Sequence, residues 1–159
     1  MDMRLIKWGS IILPVGFIIA VIAAPIGPMP GIFISGTASD VPNSWGDTSS
    51  IVEIDLQVGE GPLGRTVTIW TVQVDGDLYV TGQKDSGWVS GIAPGGPVRL
   101  QMDGKLYDLT AETVTKDAVN VLSAWQGKYT NHYPDMMGQF PEPEEALSTA
   151  VVYKLKKRV

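Results

Sequence analysis

Two Asp-Gly pairs, Asp75-Gly76 and Asp103-Gly104, each stand between runs of strand-forming residues, and they constrain the fold more than any other feature of the chain. A two-residue hairpin turn needs positive φ at both central positions, which Gly adopts freely and Asp tolerates. Arg65–Val74 (RTVTIWTVQV) leads into the first pair and Leu78–Val80 returns from it. Val98, Leu100 and Met102 alternate with Arg99 and Gln101 ahead of the second pair, and Leu106–Val114 pairs back. Ile51–Val58 alternates with period two, as a half-buried strand does. Thr149–Leu155 (TAVVYKL) makes a last strand. Within Arg65–Val74 the apolar phase slips between Ile69 and Trp70, which predicts a bulge or a strand buried on both faces.

One helix is expected among these strands. Thr115 caps it, Ala118, Val121, Leu122 and Trp125 share one face, and Gly127 closes it. Ser35–Ser50, rich in Gly, Ser, Asp and Asn, reads as a loop with Trp45 packing it onto the strands. Gly82–Gly96 reads as a long glycine-rich loop carrying Trp88, and Lys128–Glu145, with Pro134, Pro141 and Pro143, as irregular. Six strands with edges to hide and one helix close most simply as a small β-barrel.

Ahead of this domain lies Leu5–Ala24, uncharged from Trp8 onward. About 20 apolar helical residues span a bilayer core. Trp8 suits the interface, and Arg4 and Lys7 precede the stretch while no further Lys or Arg occurs until Arg65. That asymmetry predicts a single-pass membrane anchor with its N-terminus cytoplasmic and the C-terminal domain extracytoplasmic. A cleaved signal peptide and a soluble core helix are the competing readings. Ile22 and Ala24 followed by Pro25 make a poor cleavage site, which favours the anchor. The expected organisation is residues 1–25 as anchor, 26–50 as linker and lead-in loop, and 51–159 as barrel.

A net charge of -5 disfavours nucleic acid as a partner, and the basic end at Lys154, Lys156, Lys157 and Arg158 reads as a solvated tail. No cysteine is present, so neither disulfide nor thiolate chemistry is available. His132 is the single histidine, too little for a zinc site, and no metal is expected. Glu142, Glu144 and Glu145 read as a solvated loop, and Gly59–Gly64 lacks the Gly-Lys-Ser/Thr ending of a phosphate loop.

The runs RTVTIWTVQVDGDLYVTGQKDSGW and PVRLQMDGKLYDLTAETVTKD resemble the FMN-binding split-barrel superfamily, which includes pyridoxamine-phosphate-oxidase-like proteins and deazaflavin-dependent nitroreductases. The likeness covers residues 31–158 and is nearest to membrane-anchored members of that group. It implies a six-stranded split barrel, a flavin-type cofactor (FMN or a deazaflavin coenzyme) in a groove, and a homodimer. Arg65 and Thr66 open one strand, while Thr81, Gln83, Lys84 and Ser86 close the returning one. A hairpin through Asp75-Gly76 would bring the two groups to one end of the sheet. Arg65, Thr66 and Lys84 are the candidate anion contacts, and Trp88 corresponds to a family tryptophan able to cover a ring. The related Trp-x-x-Asn pattern is broken here by Gly91.

Each of these residues also has a plainer reading: Arg65 as a solvated edge residue, Lys84 with Asp85 as an exposed pair, Trp88 as packing, Trp70 and Trp125 as core. Three functions follow. One is a membrane-tethered flavin or deazaflavin oxidoreductase acting on a small apolar or quinone-like substrate. The second is a non-catalytic module of the same fold holding a haem-like or lipophilic ligand. The third is a dimerisation domain without a ligand.

Overall fold

The structure, a computed structural model, describes residues 31, 33–59 and 64–158. The expected anchor and most of the proline-rich linker lie outside these residues, as does most of the turn at 59–64. Among the described residues no helix is long and apolar enough to cross a membrane.

Eight strands are described: β1 Thr37–Ala38, β2 Ile54–Val58, β3 Arg65–Ile69, β4 Thr71–Val74, β5 Asp77–Gln83, β6 Gly95–Met102, β7 Lys105–Thr113 and β8 Ala150–Lys157. Four helices accompany them: α1 Gly87–Ile92, α2 Ala118–His132, α3 Pro134–Met137 and α4 Pro143–Ala146. The sheet runs β3-β2-β6-β7-β8-β5-β4 with every neighbouring pair antiparallel, and β1 adds to β7 in parallel. The fold is therefore mainly β, a half-barrel of antiparallel strands with few helices.

Both Asp-Gly hairpins form as the turn chemistry requires. Asp75 and Gly76 have φ of 52° and 84°, Asp103 and Gly104 of 51° and 71°, so β4–β5 and β6–β7 are each joined by two residues in the left-handed region. The phase slip at Trp70 has a larger consequence than a bulge. β3 pairs with β2 and β4 pairs with β5, so the strand expected over 65–74 is two strands at opposite ends of the sheet path. Only Trp70 separates them, so the chain brings the two ends of the sheet path together there. Six expected strands become eight through this split and through β1, which lies in the stretch read as loop.

The stretch Gly82–Gly96 is not a loop: β5 runs through Gln83, α1 follows with Trp88, Val89 and Ile92 buried, and β6 begins at Gly95. Helix α2 starts after Asp117, at φ 63°, instead of at a Thr115 cap, and it runs past Gly127 to His132. Interior Gly costs a helix about 1 kcal/mol. Tertiary bonds made by the next two residues offset that cost: Lys128 Nζ donates to Ile51 O and Thr71 O, and Tyr129 Oη donates to Val52 O. The stretch beyond α2 is also more ordered than its prolines suggest, because Pro134 and Pro143 occupy first-turn positions of α3 and α4, where a missing N–H is harmless.

Two apolar clusters lie on the two faces of the sheet. Inside the barrel, Leu56, Leu78, Val80, Leu100, Leu109 and Leu155 pack with Trp88 and Tyr153. On the outer face, α2 lays Val121, Leu122, Trp125 and Tyr129 over Val72 and Val152. The period-two alternation of β8 supplies both, with Tyr153 and Leu155 inward and Val152 outward. Trp45 does pack its loop onto the barrel, with its ring edge-on to Tyr107 at 5.0 Å. At the basic end, Lys154 pairs with Asp77 and Lys156 with Glu112 within the strand ladder.

Candidate functional site

The split at Trp70 leaves backbone groups without strand partners, and α2 supplies them. Tyr129 Oη accepts from Thr71 N at 3.0 Å and donates to Val52 O at 2.6 Å, while Lys128 Nζ lies 2.7 Å from Ile51 O and 2.8 Å from Thr71 O. Buried backbone groups are costly unpaired, so this clasp fixes α2 against the corner. Burial pushes the Tyr129 hydroxyl well above the usual phenol range, and burial pulls Lys128 down to about 8 although the Asp47 carboxylate acts against it. Trp70 lies nearly parallel to Tyr129, with centroids 4.2 Å apart, and to Tyr133, at 5.1 Å.

A cavity of about 420 Å³ opens beside this corner, between the sheet's outer face and α2. Thr81, Gly82 and Gln83 of β5 and Ala150 of β8 line its sheet side, Thr68, Ile69 and Trp70 the corner, Leu122, Trp125 and Gln126 the helix side, and Phe140, Pro141 and Ala146 the remainder with Thr149. None of these residues carries a charge. Phe140 stands 5.6 Å from Trp125, and Gln126 Nε2 donates to Pro141 O at 2.8 Å, which ties the 138–142 segment to the helix. The indole Nε1 of Trp125 is buried and has no acceptor among the described residues.

The residues singled out in the sequence divide over this architecture. Thr81 and Gln83 line the cavity. Lys84, on the next turn, donates through Nζ to Leu147 O at 2.8 Å and Ser148 O at 3.0 Å. Ser86 Oγ donates to Gln83 O at 2.8 Å. Arg65 begins β3, exposed, and its guanidinium lies so close to Gly87 of α1 that a Cβ there would stand 2.9 Å from Nη1. Thr66 is fully buried and accepts from Gln57 Nε2 at 3.4 Å. Trp88 turns into the barrel, 6.0 Å from Tyr153, and crosses β5 at Gly82, where a Cβ would sit 2.2 Å from Cζ2 of the indole. The β4–β5 hairpin does not join the two groups, because Arg65 and Thr66 are on β3 at the other end of the sheet path. Arg65 instead lies against α1, beside its strand partner Val58.

Sequence reasoning read Trp70 and Trp125 as core and passed over Phe140, Lys128 and Tyr129. Two signals were present: the phase slip before Trp70, and the i, i+4, i+8 spacing of Trp125, Tyr129 and Tyr133, which continues the aromatic side of the helix past Gly127 to its end.

The family model described as "Uncharacterized protein conserved in bacteria (DUF2255)" matches residues 47–152, more than half of the chain, and the chain belongs to that family. The matched stretch contains every residue lining the cavity. No curated protein matches the sequence. Among solved structures, a conserved hypothetical protein from Mycobacterium tuberculosis superposes with a TM-score of 0.50 at 17% identity, covering 70% of this chain and 76% of that one. A NimC/NimA family protein from Clostridium acetobutylicum gives 0.44 at 15% identity, over 65% and 70%. The haem storage protein HutZ from Vibrio cholerae gives 0.45 at 9%, over 67% and 82%. At 17% identity the first likeness is one of fold.

Proposed function

We propose that this member of the family is a ligand-binding split-barrel protein whose site is the cavity between the sheet and α2, and whose ligand is a small, neutral, flat-ringed molecule of quinone-like or flavin-ring character. The observation that carries the reading is the lining: Trp70, Trp125 and Phe140 with Thr and Gln side chains, and no charged group, around about 420 Å³. Ligand pockets are commonly 300–1,000 Å³, mostly apolar, with a few polar groups for orientation. A charged ligand placed here would lose hydration without a partner.

The same lining fits the ring of a flavin-type group but not its phosphate. A phosphate calls for cations or a cradle of donors. The adjoining cation, Lys84, is already bonded to two carbonyls, and Arg65 lies against α1. Oxidoreductase activity is a second reading, favoured by the aromatic lining alone. The apolar N-terminal run would tether the domain to a membrane and keep such a site near lipophilic ligands. Self-association belongs to the same reading.

Trp70 and Trp125 report on the cavity directly. The domain from residue 31 onward is titrated with a naphthoquinone, riboflavin and FMN while tryptophan emission is followed. Saturable quenching by the naphthoquinone or by riboflavin, lost when Ala146→Phe fills the cavity, supports the reading. FMN binding no tighter than riboflavin, and unaffected by Lys84→Ala, is expected from the uncharged lining. No saturable binding of any of the three by the folded domain would overturn it.

A further inference from the structure

Helix α2 presents a second stripe, Ala124, Lys128, Asn131 and His132, away from the aromatic cavity. With Asp47, Thr48 and Ser49 of the lead-in loop and Val72 and Gln73 of β4, it encloses a separate cavity of about 350 Å³. We propose that this is a carbonyl-capture site, in which Lys128 forms an imine with a small aldehyde.

Lys128 Nζ has two acceptors, Ile51 O at 2.7 Å and Thr71 O at 2.8 Å. An ammonium has three N–H donors, a neutral amine two donors and one lone pair. Two carbonyls therefore occupy both donors of the neutral amine and leave its lone pair unengaged by them, in a residue that borders the cavity. Asp47 and His132 line the same cavity as Lys128, and the Tyr129 ring stands beside Nζ. The Asp47 carboxylate comes from the loop and acts on it electrostatically, His132 lies one turn on with Nε2 3.1 Å from Ser49 O, and the Tyr129 ring centroid is 5.1 Å away. Half-burial holds Lys128 at about 8, so roughly a quarter is neutral at pH 7.5, against roughly a thousandth of an ordinary lysine.

The reaction balances without any redox partner. The lone pair attacks the aldehyde carbon, a C–N bond forms, and the carbonyl electron pair moves to oxygen, which takes the proton that nitrogen loses. The carbinolamine then expels water, carrying off the second amine proton, and leaves C=N. Because an iminium nitrogen keeps one N–H at most, the adduct surrenders at least one bond of the clasp to Ile51 and Thr71. Capture at this site is thus coupled to the stability of the barrel's closing corner.

The test uses the full chain with propanal and cyanoborohydride, followed by peptide mass mapping over time. At pH 7.5 Lys128 is expected to be alkylated about tenfold or more faster than the exposed Lys105 and Lys116, a conservative figure because less basic amines are weaker nucleophiles. Its rate should approach a plateau above pH 8, and the selectivity should vanish in concentrated urea. Alkylation of Lys128 no faster than Lys105 and Lys116, or with the same pH profile as theirs, would overturn the proposal.

Discussion

Removing one oxygen from Tyr129 tests how the barrel is closed. Tyr129 is fully buried, as is Thr71, and the Tyr129 hydroxyl is the acceptor for Thr71 N and a donor to Val52 O. In Tyr129→Phe the ring remains to stack on Trp70, so the apolar contact is kept. Lys128 continues to serve Thr71 O. What is lost is the partner of a buried N–H and one partner of Val52 O. Leaving a buried donor or acceptor unpaired costs about 1–3 kcal/mol, and a value of about 2 kcal/mol is expected here. For a domain of this size that corresponds to roughly 6–10 °C in Tm. Thermal melting by circular dichroism and urea unfolding check it, with the urea midpoint falling and the slope unchanged. Tyr133→Phe, which alters a ring stacked on the same indole outside this clasp, serves as the control and should change Tm little. A shift below 2 °C in Tyr129→Phe would mean that the corner is not held by this hydroxyl, and the account of the split strand would fail.

Further outcomes follow from the same geometry. Combining Tyr129→Phe with Lys128→Met should be non-additive, since both side chains serve the backbone of Thr71; a double-mutant cycle by urea unfolding measures the coupling. Lys128 is depressed in the folded state, so between pH 8 and 9.5 the unfolded chain binds more protons than the folded one and stability should rise with pH. Lys128→Met should remove that rise. The window ends before pH 10 because Tyr79, Tyr129 and Tyr153 are all raised by burial and act in the opposite sense there. Gly82→Ala should force Trp88 or β5 to move and cost about 1–3 kcal/mol, visible as a lower melting temperature with a changed near-ultraviolet tryptophan signal.

The hairpins, the strand runs around them and the existence of one amphipathic helix were determined by local chemistry. Asp-Gly at a two-residue turn and period-two alternation act over fewer than ten residues, so they can be read from the chain. The break at Trp70 was visible as a phase slip, but its meaning was not. Only the pairing of Ile69 with Ile54 and of Thr71 with Val80 shows that consecutive residues belong to opposite ends of the sheet path. Likewise Gly127 looked like a helix end because a local rule says so, and it is interior because Lys128 and Tyr129 are bonded to residues 57–77 positions away. The candidate site follows the same division. Thr81 and Gln83 were named from the sequence and do line a cavity, yet the character of that cavity comes from Trp70, Trp125 and Phe140, which only tertiary packing brings together. Trp88 shows the converse: its side chain went inward because Gly82 leaves room for an indole on the inner face of β5. Local sequence set which segments would be strands and where they would turn. Tertiary structure decided where the sheet closes and what the closure encloses, because the bonds that fix a corner join residues far apart along the chain.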